Sequence, residues 1–215
     1  MVTKPMATPA QLMETISDAT GIPLATVVDI DRKLTKAGLR TKGGRGFSVA
    51  QMTSKDAAHL LTGLLAAPQS NEAVLAVERY THTRVDAERS SERLFGAADL
   101  DDLAELSTRH GFIAGLSAVI ASATAGTLFR LKQGADDGLT PSIEIFAFTR
   151  ATRGRIRITG LPNRTTASVE YLPVRGPLSS PMSVTGDLEQ SRRITEHTIF
   201  SIAELLGLDG GHERD

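Results

Sequence analysis

The sequence predicts an α+β fold, with helices first, an antiparallel sheet after them and a helix to close. Three observations carry that prediction. Apolar residues recur at helical spacing through about residue 66. After Pro141 the period shortens to two, as in strands half covered by a core. Near the C-terminus a helical stripe returns at Ile194, Ile199, Ile202, Leu205 and Leu206.

Taken in order, Thr8-Pro9-Ala10-Gln11 is a helix start, with a hydroxyl N-cap, proline in the first turn and Gln11 to return the capping bond. Leu12, Ile16 and Ala19 share a face, and Gly21 is the stop. Pro23 opens a second helix with an apolar stripe of Leu24, Val27, Val28, Ile30 and Leu34, ending at Gly38. Two short polar–apolar segments then flank Gly43-Gly44, a pair suited to a small hairpin because both residues accept positive φ. Thr53-Ser54-Lys55-Asp56 repeats the capping box and starts a third helix through about Ala66, halted before Pro68.

Asn71 caps a further helix, with Val74, Val77 and Tyr80 on one side. Residues 83–93 read equally as a hairpin-like surface segment or as an exposed helix. Residues 99–109 read as a helix through Leu100, Leu103 and Leu106, with a break at Gly111 and a loop over 134–140. Strands follow at 143–149, 154–159 and 167–172, arranged as a meander with Arg155 and Arg157 wet and Ile156 and Ile158 inward. Residues 173–181 form a proline-rich loop, and 191–206 the last helix. The division falls between about residues 68 and 71, separating a domain at 1–68 from a region at 69–215 that combines oligomerising helices with an antiparallel β domain.

Composition narrows the function. The chain of 215 residues has 24 basic and 25 acidic side chains, so global charge does not announce a nucleic-acid binder. Absence of cysteine excludes disulfides, thiolate zinc sites and thiol nucleophiles. With no Trp, two Tyr and seven Phe, the core rests on aliphatics and alanine. Residues 1–10 lack the apolar run of a signal peptide, and a cytoplasmic location is expected. Residues 110–129 carry no formal charge between Arg109 and Arg130, a span of bilayer length. Their three glycines and several hydroxyls point instead to a helix inside a core or a subunit interface. Ala114, Ala118, Ala121, Ser122 and Ala125 allow close helix approach, and homo-oligomerisation is expected.

Charge is uneven along the chain. Arg32, Lys33, Lys36, Arg40, Lys42 and Arg45 fall in a stretch with no acid, whereas residues 61–140 are net acidic. Helix, glycine corner, helix and glycine hairpin within about fifty residues is the chemistry of groove binding, because a duplex major groove admits one helix while its neighbour crosses the backbone. The segment 16–39, with Ala-Thr-Gly-Ile-Pro-Leu-Ala-Thr-Val at its centre and Lys-Ala-Gly-Leu at its end, resembles the winged helix-turn-helix proteins, IclR-like bacterial regulators among them. The likeness spans about 40 residues, less than a fifth of the chain. It implies a recognition helix at 23–37 and a wing at 40–45. There is little room before Pro9 for an extra leading helix, and the minimal form, completed by the helix from Thr53, is similar to the DNA-binding domain of phage small terminase subunits.

On this reading Thr26 reads a base edge or phosphate, Arg32, Lys33 and Lys36 meet phosphates, and the wing, from Arg40 through Lys42, Gly43, Gly44 and Arg45, lies along phosphates or enters the minor groove. Asp29 and Asp31 depart from it. They point away from the backbone, pair with Arg32 or Lys33, or mark a helix that binds protein. Arg153, Arg155 and Arg157 offer a weaker second basic strip. No Walker, zincin, dinucleotide-type or nucleophile-elbow motif is present, and His82, His110 and the Glu196-His197 pair are isolated, so neither catalysis nor a cofactor or metal is expected. The expected partner is double-stranded DNA, with no membrane association. Transcriptional regulation leads, with a phage small terminase subunit and a protein-interaction module as alternatives.

Overall fold

The computed structural model describes residues 7–42, 51–90, 109–128, 142–149, 151–161, 165–174 and 189–207. Within them lie α1 (Pro9–Thr20), α2 (Leu24–Lys36), α3 (Ser54–Ala66), α4 (Ala73–Thr81), β1 (Thr83–Val85), α5 (Phe112–Thr124), β2 (Ser142–Phe148), β3 (Gly154–Leu161), β4 (Thr165–Pro173), β5 (Ser191–Thr195) and α6 (Glu196–Leu206). The fold is mixed helix and antiparallel sheet, as expected.

The sheet runs β1-β4-β3-β2-β5, every pairing antiparallel. Its register sets Ile145 between Ile156 and Ile194, and Ile156 beside Val169, so the aliphatic side chains of four strands share one face. That face is buried under α3, α5 and α6. The opposite face is a cross-strand charge ladder. Glu170 pairs with Arg153 (3.0 Å) and Arg155, and Glu144 with Arg157 (3.5 Å) and Arg193 (2.6 Å). The basic strip at 153–157 is therefore on the outer face, but its charge is already matched within the sheet.

α3 is the central helix, buried from Asp56 to Ala66 and packed against α2 and α4 as well as α5, β2 and β5. Reading it as the third helix of a small N-terminal unit understates its role. The first helix, α1, packs against α6 from the far end of the chain. Arg192 of β5 donates to the carbonyls of Leu64 (2.7 Å) and Ala67 (2.8 Å), capping the end of α3 where the division at residue 68 is expected. One hydrophobic cluster holds residues from both sides of that point, Ala66 and Ala67 before it and Ala73 and Val77 after it.

The last element differs from its expectation. Residues 191–195 are a strand on β2 and the helix starts only at Glu196, with Thr195 in extended conformation at its N-cap. A carboxylate oxygen of Glu196 accepts from the Ile143 backbone N–H (3.1 Å), holding the helix start to the sheet. Residues 83–85 are the sheet's edge strand, which resolves the earlier ambiguity over the start of the 83–93 segment. α5 begins after Gly111 as expected, and no helix among the described residues is long and apolar enough to cross a membrane. The helix expected at 99–109 and the loops at 134–140 and 173–181 lie largely outside the described residues.

Candidate nucleic-acid interface

Local sequence builds the α1–α2 corner. Both bonds of the Thr8–Gln11 capping box form, and α1 ends at Gly21, whose φ of 70° is left-handed and cheap only for glycine. The Ser17 hydroxyl donates to the Ile22 carbonyl (2.8 Å) and the Thr20 hydroxyl to that of Ile16 (2.6 Å), so the corner is held by its own side chains. At the other end of α2 the Leu39 N–H reaches the Leu34 carbonyl (3.0 Å) across Gly38, φ 75°, a Schellman closure.

α2 is rotated from the orientation its apolar stripe suggests. Val27, Ile30 and Leu34 are buried with Asp31, while Leu24 and Val28 are 41% and 40% exposed. The reason is Arg40. Its guanidinium donates to the Asp31 carboxylate (2.6 Å), and both side chains are more than nine-tenths buried. Burial pushes the Asp31 carboxyl up from its ordinary value, against the pull of Arg40. A charge pair thus occupies the place expected for a leucine or valine.

Arg40 consequently drops out of the phosphate-contacting set. It also donates to the Thr41 carbonyl (3.3 Å) and lies against the Met52 sulfur (3.1 Å), so it ties the end of α2 to the approach of α3. Asp56 completes the tie. Its carboxylate accepts from the backbone N–H of Thr41 (2.8 Å), the backbone N–H of Thr53 (3.1 Å) and the Thr53 hydroxyl (2.7 Å). Burial pushes this carboxyl up, but the bonds from Thr41 and Thr53 outweigh it and hold Asp56 below the ordinary carboxylate range. One carboxylate therefore clamps the chain where it leaves toward Lys42 and where it returns to α3. Sequence reasoning found Asp56 as a capping residue and missed its second role, since nothing in local spacing points to a donor fifteen residues upstream.

The remaining basic residues divide. Arg32 and Lys36 are exposed on the outer side of α2, and Thr26 is exposed at its start. Lys33 is half-buried and engaged, donating to Asp29 (2.5 Å) and the Ser70 hydroxyl (3.2 Å), while Arg32 reaches the other Asp29 oxygen (3.0 Å). Lys33, Ser70 and Arg32 together draw the Asp29 carboxyl down to about 2. Asp29 thus pairs with its helix neighbours, one of the resolutions open from sequence, and Asp31 turns inward. Lys42 is exposed beyond the clamp; Gly43, Gly44 and Arg45 lie outside the described residues. Among the described residues no three His, Asp or Glu side chains converge as metal ligands. No protein-family model, no curated protein and no solved structure matches this chain.

Proposed function

We propose that the chain binds double-stranded DNA as a winged helix-turn-helix regulator of transcription, with α2 in the major groove and the segment after Lys42 as its wing. The observation that carries this reading is the orientation of α2. One side is locked by Val27, Ile30, Leu34 and the Asp31–Arg40 pair, the opposite side presents Arg32 and Lys36 to solvent, and Thr26 is exposed at the helix start. Groove recognition needs that division, a helix fixed from behind whose first turns and flank are free. The Asp56 clamp supports the wing, because it brings residues 41 and 53 to one carboxylate.

Arg32, Lys36 and Lys42 supply the phosphate contacts, and Thr26 with its neighbours in the first turn supplies base choice. Three such contacts make affinity fall roughly 40-fold between 50 and 200 mM salt, by counterion release. A footprint this small gains from a second copy on the same duplex. The test is anisotropy of a labelled 30-base-pair duplex titrated with the full chain at several salt concentrations. Arg32→Ala/Lys36→Ala is expected to lower the magnitude of the log–log salt slope by about 2. No binding at 50 mM salt, or a slope unchanged by the double variant, overturns the proposal. Exposed Leu24 and Val28 favour a second reading, α2 docking onto a protein's apolar strip, for which binding is insensitive to salt and lost in Val28→Asp.

A further inference from the structure

A cleft among the described residues lies between the start of α3, the α4–β1 junction and α5, with no α2 residue in its lining. Its volume is about 840 Å³, within the range of small-molecule sites. Lys55 of α3, Arg84 of β1 and Arg109 ahead of α5 line it, and no acidic side chain among the described residues does. Three elements distant in sequence thus bring three cations to one concavity. The Arg84 guanidinium is oriented by donating to the carbonyls of Thr81 (3.2 Å) and Thr83 (2.6 Å), neither of which neutralises it.

His59 adds an imidazole to the lining. Its side chain is 8% exposed and lines the cleft, and Nδ1 donates to the Lys55 carbonyl (2.8 Å). A carbonyl only accepts, so that bond makes Nδ1 the donor and leaves Nε2 as the ring's other polar atom. Gly111, at the start of α5, faces the same space, so the positive end of the helix dipole adds to the field. The lining also includes Ala114, Ala118 and Ala121, on successive turns of α5. These small side chains leave a flat surface on which a ring can lie.

We infer that this cleft binds a phosphorylated small molecule of about nucleotide size, its phosphates among Lys55, Arg84 and Arg109 and its apolar ring on the alanine face of α5. Three cations match the two or three charges of a phosphate ester or diphosphate better than the single charge of a carboxylate. Nε2 of His59 meets the phosphate as acceptor from a P–OH or, protonated, as donor to an oxyanion. The inference is independent of DNA binding through α2.

The test uses the full chain and two fluorescent probes, mant-ATP and mant-adenosine, titrated at 50 mM salt. Saturable binding of mant-ATP at least about tenfold tighter than mant-adenosine is expected, since charge-assisted bonds to phosphate are the strong ones. Lys55→Glu/Arg109→Glu is expected to weaken mant-ATP about tenfold or more, and Ala118→Phe to block it by filling the ring's place. Lys55→Glu/Arg109→Glu keeps the parent's unfolding curve, because Lys55 and Arg109 are exposed, and Ala118→Phe, at a half-buried position packed against the core, is read only where its unfolding curve matches the parent's. Arg32→Ala/Lys36→Ala leaves mant-ATP binding intact, which separates this site from α2. No saturable binding, equal affinity for the two probes, or indifference to both substitution sets overturns the inference. Displacement of mant-ATP by duplex DNA as readily as by unlabelled ATP overturns it too, because the cleft then belongs to a nucleic-acid surface.

Discussion

Removing the guanidinium of Arg40 is the sharpest perturbation the structure offers. Arg40 and Asp31 are 5% and 8% exposed at their side chains, so Arg40→Ala leaves a buried carboxylate without its counter-charge. Breaking a buried pair in this way costs about 3–5 kcal/mol. For a chain of 215 residues each kcal/mol lowers the melting midpoint by about 2–4 °C, so the variant loses roughly 6–20 °C at pH 7. Asp31 is already pushed up by burial, and without Arg40 it rises further. A raised folded-state value means the penalty grows as pH climbs above the unfolded value, so the deficit narrows as the pH is lowered toward 4. Asp31→Leu/Arg40→Met removes both charges and restores most of the stability, because apolar replacement of a buried pair is often neutral or better. The assay is thermal and urea unfolding of the three variants at pH 5 and pH 7. A loss below about 1 kcal/mol in Arg40→Ala, the range of exposed ion pairs, refutes the reasoning and returns Arg40 to the list of phosphate contacts. With the reasoning intact, the double variant keeps the parent's DNA affinity.

Three further outcomes follow from the geometry. Asp56→Asn costs on the order of 2–3 kcal/mol at pH 7, since an amide cannot accept all three donors. Asp56 is held below its ordinary value of 3.8, so its stabilisation is present above that pH and lost as pH falls through the folded value; parent and variant urea midpoints converge below 3.8. Gly115→Ala drives a Cβ into the Tyr171 hydroxyl, and the overpacking costs about 1–3 kcal/mol in urea unfolding; an unchanged midpoint means α5 moves off β4 freely. Arg192→Ala strips the end of α3 of two carbonyl partners, and amide exchange at Ala66 and Ala67 is expected to rise well before exchange in the middle of α3.

What was legible in the sequence was local. Thr8 with Gln11 and Thr53 with Asp56 mark helix starts because both capping bonds close within four residues. Gly21 and Gly38 mark helix ends because left-handed backbone is costly for other residues. The meander was legible from alternation at Ile156 and Ile158. The facing of α2 was not, because the partner that draws Asp31 inward arrives nine residues later from outside the helix. Residues 191–195 carry too few apolar positions to announce a strand, and their pairing with β2 is set across more than forty residues. The arginines at 153–157 look free in sequence, since only the strand register reveals Glu170 and Glu144 opposite them. The cationic cleft was invisible for a similar reason. Lys55, Arg84 and Arg109 are far apart along the chain, and it is the packing of three elements that gathers them.

The ring of Phe112 stands edge-on to Tyr80, at 5.1 Å between centroids, and to Tyr171, at 5.5 Å. Both tyrosines are buried, and the chain has no others and no tryptophan. Its near-ultraviolet absorbance and intrinsic emission therefore come overwhelmingly from one aromatic seam where α4, α5 and β4 meet. An optical melt reports that seam loosening and stays silent while α1 and α2 fray, so a label placed on α2 beside the native signal turns one experiment into a two-channel record of which end gives way first.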